Sequence, residues 1–379
     1  MARILVESFM VRYPLAGMIS WTLQYLVGLD RLGHDVVLVE RANHDYACFD
    51  PVSGTSGLDC DRGIAAVDDA FRRAGLEQRW CFVDSHGTHF GKTARELTEL
   101  FSTADIFIAM TFEECWHDRA MQVPCRVLLD GDPVFRQILH RQAAQAGTSF
   151  PRYDAYFSAG LSIREPDAKV PDDGIDWRPL PHPVATELFA FSMPKRENPL
   201  TTIMNWQSYD PIEDNGIQYG HKDLEFENFI SLPHCVRHPF EVAVAGAAPR
   251  DRLMSQGWKV VNAHEVTLNV HRFHSFIRDS LGEFSVCKHA YVVSRSGWFS
   301  DRSAAYLASG RPVILEETGF SRHLPCGEGL FAFTDVESAV DAVDRVRREP
   351  ERHARVARDI ACAELEATKI MARFMDALP

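Results

Sequence analysis

The stretch that decides the fold is Tyr291-Val-Val-Ser-Arg-Ser-Gly-Trp-Phe-Ser-Asp-Arg-Ser-Ala-Ala-Tyr-Leu-Ala-Ser-Gly-Arg-Pro-Val-Ile314. Its pattern predicts a strand over 290–294, a polar turn, a helix over 301–309, a glycine stop and a strand over 312–316. Ser300 is a suitable N-cap, and Asp301 in the first turn suits the helix dipole. Gly310 ends the helix and Pro312 opens the next strand. A helix start preceded by Ser296 and Gly297 offers backbone N–H groups to an anion such as a diphosphate. The same residues also serve an ordinary turn between a helix and a strand.

Outward from this stretch, short apolar runs alternate with helical spacing along the whole chain, which predicts parallel sheets with crossover helices. In the first half the strands are expected at 3–7, 35–40, 80–84, 105–110, 126–130 and 155–159. Helices are expected at 20–32, closed by Gly33, and at 93–102. In the second half strands are expected at 201–206, 241–245, 258–261, 290–294, 312–316 and 330–333, with helices at 224–232, 273–282, 301–309 and 336–348. A proline-rich passage, 178–200, divides the halves. The expected organisation is an N-terminal Rossmann-like domain over 1–190 and a second over 191–355. A helix over 356–379 is expected to pack back across both. The fold class is α/β, two doubly wound parallel-sheet domains facing across a cleft. Such sheets bind ligands outside the carboxyl ends of their strands.

Composition narrows the function classes. The formal charge of −13 disfavours a nucleic-acid-coating surface and electrostatic docking on anionic lipid. The N-terminus opens on a strand pattern without a signal-peptide profile, and no apolar run reaches the length of a membrane span, so a cytoplasmic protein is expected. The nine cysteines are scattered without a Cys-x-x-Cys pair, which predicts reduced thiols. No G-x-G-x-x-G follows the first strand, and neither a P-loop nor a G-x-S-x-G elbow is present.

Ala304-Ala-Tyr-Leu-Ala-Ser-Gly-Arg-Pro-Val313 resembles the L-E-A-M-A-x-G-x-P-V element of glycosyltransferases of the GT-B fold, and Glu317-Thr-Gly-Phe320 resembles their next sugar-contacting turn. Gly28-Leu-Asp-Arg-Leu-Gly-His-Asp-Val-Val37 is similar to their L-x-x-x-G-H-x-V passage. Ser296–Ser303, S-G-W-F-S-D-R-S, is similar to a motif carried by one bacterial subgroup. The resemblance implies transfer of a sugar from a nucleotide-diphosphate donor to a small-molecule or saccharide acceptor. It implies no separate cofactor and no metal.

The donor contacts expected from it are Arg295, Ser296, Gly297, Trp298, Ser300, Asp301 and Arg302, then Thr318, Gly319 and Phe320, with Gly17 on the opposing domain. Lys222 stands where these enzymes place a lysine to neutralise the diphosphate, although Asp223 replaces the usual glycine after it. The ribose-binding glutamate of many members is Ala305 here, and its partner eight residues earlier is Gly297, so the paired-glutamate signature is missing. Asp301, one helical turn before Ala305, is the expected substitute.

On the first domain, Asp130-Gly-Asp132 follows a strand and is expected to orient or deprotonate an acceptor hydroxyl, and His86 is a second candidate base. Asp130 and Asp132 also have the spacing of a metal-binding Asp-x-Asp, which a chain with two Rossmann-like halves disfavours. His86 and His89 suit a surface or loop-structuring role better than a functional one, and Glu113-Glu114 reads as a solvated face. Two other readings of the same fold are a nucleotide-sugar epimerase or related coupling enzyme, and a non-catalytic sugar-nucleotide-binding protein. The stereochemical outcome and oligomeric state stay open.

Overall fold

The computed structural model describes residues 1–379. Its first sheet has eight strands: β1 (Arg3–Glu7), β2 (Asp35–Arg41), β3 (Trp80–Val83), β4 (His89–Phe90), β5 (Ile106–Ala109), β6 (Cys125–Asp130), β7 (Ala155–Ser158) and β8 (Trp177–Pro179). They lie in the order β8-β7-β6-β5-β1-β2-β3-β4, all parallel except the short β3–β4 hairpin. The second sheet holds β9 (Leu200–Asn205), β10 (Phe240–Ala245), β11 (Trp258–Asn262), β12 (Gly282–Ser285), β13 (Val313–Glu316) and β14 (Leu330–Phe333). Its order, β11-β10-β9-β12-β13-β14, is the 3-2-1-4-5-6 arrangement of a Rossmann domain and is wholly parallel. Two doubly wound domains are therefore present.

Burial on both faces explains the strand composition. Ile4, Leu5 and Val6 are all buried, as are Val242, Ala243 and Val244. Several crossover helices are amphipathic and bury one face. In α1 (Ala16–Arg31) the chain enters at Leu15 and leaves through Gly33, whose φ of +84° is the left-handed turn expected of that glycine. The helix begins four residues before the expected Ser20, so Gly17 lies in its first turn. Helix α2 (Asp61–Ala74) buries Gly63, Val67, Ala70, Phe71 and Ala74. Helix α3 (Ala94–Thr103) starts on a reciprocal cap between Thr93 and Glu96. The remaining long helices are α4 (Phe135–Gln145), α5 (Lys222–Phe229), α6 (Val270–Arg278), α7 (His289–Ser294), α8 (Asp301–Ala308), α9 (Val336–Arg348), α10 (Pro350–Ile360) and α11 (Ala367–Asp376).

Two expectations are corrected. The segment 290–294 is not a strand; it belongs to α7, which Arg295 terminates in the left-handed region at φ +52°. The fourth strand of the second sheet is instead β12, which begins at the last residue of the helix expected over 273–282 and runs on through residues for which no element was expected. Gly282-Glu-Phe-Ser285 carries a charge in its middle and does not look like a buried strand. Arg302 makes it one by pairing with Glu283 inside the protein. The apolar Tyr291-Val-Val run has strand propensity, and tertiary packing overrides it.

The chain ends by crossing back. Helix α10 packs on the second domain, where its backbone at Val356–Ala357 approaches Gly329. Val184 then bridges Glu366, and α11 packs on α1, with Gly28 against Met371 and Ala367. Phe374 reaches Phe157, ring centroids 4.8 Å apart. The first domain's core thus includes Ala367, Ile370, Met371 and Phe374. No helix is long and apolar enough to cross a membrane.

Candidate active site

In the second sheet, β9 and β12 are neighbours whose connections leave in opposite directions, so a crevice opens beyond their carboxyl ends. Three cations gather there. Lys222, at the start of α5, directs its Nζ to Ser285 Oγ at 3.3 Å and to the Val286 carbonyl. Arg302, in the first turn of α8, donates to Ser285 Oγ (2.8 Å), the Ile203 carbonyl (2.6 Å) and Glu283 (2.5 Å). Burial, and then the neighbouring Arg302 charge, pull the Lys222 ammonium down to about 7. Lys222 is therefore not an open crevice cation as expected. It is only 6% exposed and is turned inward beneath the switch point.

The cation that faces the other domain is Lys288, just after β12. Its Nζ lies 2.7 Å from Asp132 Oδ2 of the first domain. Asp132 also accepts hydrogen bonds from the hydroxyls of Tyr209 (2.6 Å) and Tyr291. The ammonium sits 5.1–5.4 Å from the ring centroids of Phe135, Tyr209 and Tyr291. Burial works to raise the Asp132 carboxyl. The Lys288 charge and these donors outweigh it and hold the group below its ordinary value.

The loop before α8 is tied into the protein. The Gly297 amide donates to the Thr318 carbonyl at 2.7 Å, and the Ser296 amide to the Tyr291 carbonyl at 3.4 Å. Their carbonyls accept from Leu161 and Ser162 of the first domain, at 3.3 and 3.0 Å. A Cβ at Gly297 would lie 2.4 Å from the Ser162 nitrogen, so only glycine lets the domains meet here. The expectation that Ser296 and Gly297 offer free amides is corrected. The amides of Ser300 and Asp301 have no acceptor within the protein, and that of Arg302 is capped by Ser300 Oγ at 3.2 Å.

The other expected donor contacts divide similarly. Trp298 stacks on Tyr291 with centroids 4.5 Å apart, and its carbonyl accepts from Thr318 Oγ1 at 2.6 Å. Phe320 is fully buried against Phe299, and the Gly319 amide is held by the Glu317 carboxylate. These residues form the wall of the loop. Arg295 points outward to Asp167 at 3.8 Å. Asp301 is partly exposed at the crevice, where its charge adds to burial in raising the Tyr25 hydroxyl. A Cβ at Gly17 would meet nothing within 4 Å, so open space lies in front of α1.

The first-domain candidates do not converge. Asp130 is buried, and its carboxylate accepts from the Asp132 amide (3.0 Å), Ser158 Oγ (2.9 Å) and Gln137 Nε2 (3.2 Å). It shapes the turn that presents Asp132, and it is not free to act as a base. His86 follows β3, four strands from β6, which separates the two sites by about 19 Å at roughly 4.8 Å per strand. The His86 ring is exposed near Asp45. His86 and Asp132 therefore cannot serve one reacting centre. Glu114 is not part of a solvated face, since it is buried against Arg136, whereas Glu113 is exposed and pairs from the surface with the buried Arg12.

No three His, Cys, Asp or Glu side chains converge in a metal-ligand arrangement. No family model and no curated protein matches the chain. Solved structures do. An α-glucosyltransferase in complex with UDP and a 13-mer DNA containing an HMU base superposes with a TM-score of 0.60 at 10% identity, covering 99% of this chain and 98% of that one. HepE from Anabaena, in complex with UDP-glucose, gives 0.58 at 10% identity, with 99% of each chain covered. A glycosyltransferase from Rickettsia africae ESF-5 gives 0.54 at 10% identity, covering 98% and 96%. The chain has the GT-B glycosyltransferase fold.

Within this GT-B architecture, sequence reasoning passed over Lys288, Ser285 and Glu283, because the strand was expected at 290–294 and none at β12. A signal existed. Phe284-Ser-Val-Cys287 is a short, largely apolar run followed by Lys288, the form of a strand that delivers a cation to its carboxyl edge.

Proposed function

We propose that the chain transfers a sugar from a nucleoside-diphosphate donor, held by the second domain, to a small-molecule or saccharide acceptor held by the first. The observation that carries this reading is the Lys288–Asp132 pair, an ammonium at the switch point facing a carboxylate of the opposing domain. The α-glucosyltransferase and HepE, similar in fold, were solved with UDP and UDP-glucose.

In this reading the donor diphosphate displaces Asp132 from Lys288. The free amides of Ser300 and Asp301, at the positive end of α8, take further phosphate oxygens. Arg302 and Lys222 lie behind the site and add positive potential as the leaving diphosphate gains charge. Asp301 takes the ribose, in place of the glutamate that Ala305 lacks. The bond from the sugar anomeric carbon to the β-phosphate oxygen breaks, and a bond to the acceptor oxygen forms. Asp132, released from its ion pair, receives the acceptor proton. The acceptor lies along the loop before Gly17, and the acidic chain favours neutral or cationic acceptors over nucleic acid. A nucleotide-sugar donor suits a cytoplasmic reaction.

The test is release of nucleoside diphosphate from UDP-, GDP-, TDP- and ADP-sugars with an acceptor panel. Acceptor-dependent release that Lys288→Ala abolishes supports the reading. Conversion of a sugar nucleotide to its epimer without acceptor, or binding without turnover on any acceptor, contradicts it.

A further inference from the structure

A cavity of about 440 Å³ lies between the domains, and none of the residues assigned above to the donor or acceptor lines it. Its walls are α1, α2, the linker at 187–190 and α6. Four basic side chains line it: Arg73 from the first domain, and His271, His274 and Arg278 from the second.

The charges in this cavity are poorly balanced. The carboxylate that lines it, Glu187, is already held by Arg31 at 2.7 Å. Arg73 pairs with Asp69 at 2.7 Å and Arg278 with Asp279 at 3.4 Å; both partners lie outside the lining, and both pairs are exposed. Exposed pairs of this kind contribute little, so both guanidinium groups are available to a stronger anion. His274 packs on Phe189 of the linker, centroids 4.7 Å apart. Burial, then the charges of His271, Arg278 and Arg73, press its imidazole down to about 4. Beyond burial, the imidazole thus faces a positive surrounding.

The geometry points to a second ligand site in this cavity, which takes a small phosphorylated molecule, its phosphate held by Arg73, His271 and Arg278. The volume suits a small molecule rather than a bare ion. Planar guanidinium groups grip phosphate in a bidentate manner. Because Arg73 belongs to one domain and His271 and Arg278 to the other, the ligand bridges both beside the linker that joins them. A bound phosphate therefore fixes how the domains sit, independently of the donor site.

Inorganic phosphate serves as the probe on the full chain. The His274 ring resonance, assigned with a His274→Asn variant, is followed by NMR during the titration. A saturable shift is expected in the wild type and in Lys288→Ala, which removes the cation facing the crevice. In Arg73→Ala/Arg278→Ala the dissociation constant rises by about tenfold or more, as expected for loss of charge-assisted hydrogen bonds. Both arginines are exposed, so this variant folds, and an unchanged melting temperature checks that it does. An unmoved His274 resonance, an equal response in the double variant, or loss of the response in Lys288→Ala overturns the site.

Discussion

Lys288 of the second domain holds Asp132 of the first at 2.7 Å, with both side chains about four-fifths withdrawn from water. In the proposed function the carboxylate occupies the place of the donor diphosphate, and Asp132 is then an internal competitor for the cation. A diphosphate bound there must displace Asp132 from Lys288 and from the two tyrosine hydroxyls that donate to it. The consequences are measurable in binding as well as in turnover.

Lys288→Ala removes the cation and leaves Asp132 facing the crevice without its counter-charge. A hydrogen bond to a charged group contributes about 1.5–3 kcal/mol, which corresponds to roughly 10- to 150-fold in affinity. Calorimetric titration with UDP, or with whichever nucleoside diphosphate binds best, is expected to show a loss in that range. Unchanged affinity would remove Lys288 from the site.

Asp132→Asn is expected to do the opposite for binding. A neutral amide competes less for the Lys288 ammonium, so the dissociation constant for the nucleoside diphosphate falls, by several-fold. Turnover falls too, because the amide accepts no proton from the acceptor. Weaker binding in this variant would show that Asp132 assists the diphosphate rather than opposing it.

Glu7, at the end of β1, is buried and accepts the Trp116 amide at 3.2 Å, while its second oxygen has no partner. Burial raises its carboxyl from the ordinary 4.5 to about 8. Between those values the folded chain keeps a proton that the unfolded chain has released. This group's contribution to stability therefore falls as pH rises from about 4.5 to 8, by at most about 1.4 kcal/mol per pH unit. Glu7→Gln abolishes that slope. Urea midpoints of the two proteins from pH 5 to 9 should diverge in favour of the variant as pH rises to 8, and run parallel above it. Parallel curves throughout would mean that Glu7 is ionised in the folded protein.

Gly297→Ala tests the contact between the domains. The residue has φ +77°, and a Cβ there would strike the backbone of Ser162. The backbone conformation alone costs about 1–3 kcal/mol, and the clash adds to it. Thermal unfolding should begin earlier, with increased amide exchange at Leu161 and Ser162. Wild-type exchange at those amides would show that they are not held by this loop.

Much of this architecture was legible because it rests on local signals. Alternating apolar runs, Gly33 after α1 and the Ser300 cap all gave the elements they promise. The site was harder to read, because its parts are defined by tertiary partners. Glu283 makes β12 look polar until Arg302 is brought beside it from nineteen residues away. Lys222 at a helix start and Asp130 at a strand end sit where open chemistry is expected, yet one is turned under the sheet and the other is spent on a turn. Ser296 and Gly297 have the composition of an anion-binding loop. Their backbone instead accepts the edge of the opposing domain, which no local pattern foretells. Lys288 follows a strand that sequence reasoning did not recognise.

The crystal structure of the chain with a bound nucleoside diphosphate is the most direct measurement. A phosphate oxygen is predicted within hydrogen-bonding distance of Lys288 Nζ and of the Ser300 and Asp301 amides, with Asp132 swung away. A nucleotide bound elsewhere while the Lys288–Asp132 pair stays closed would contradict the account.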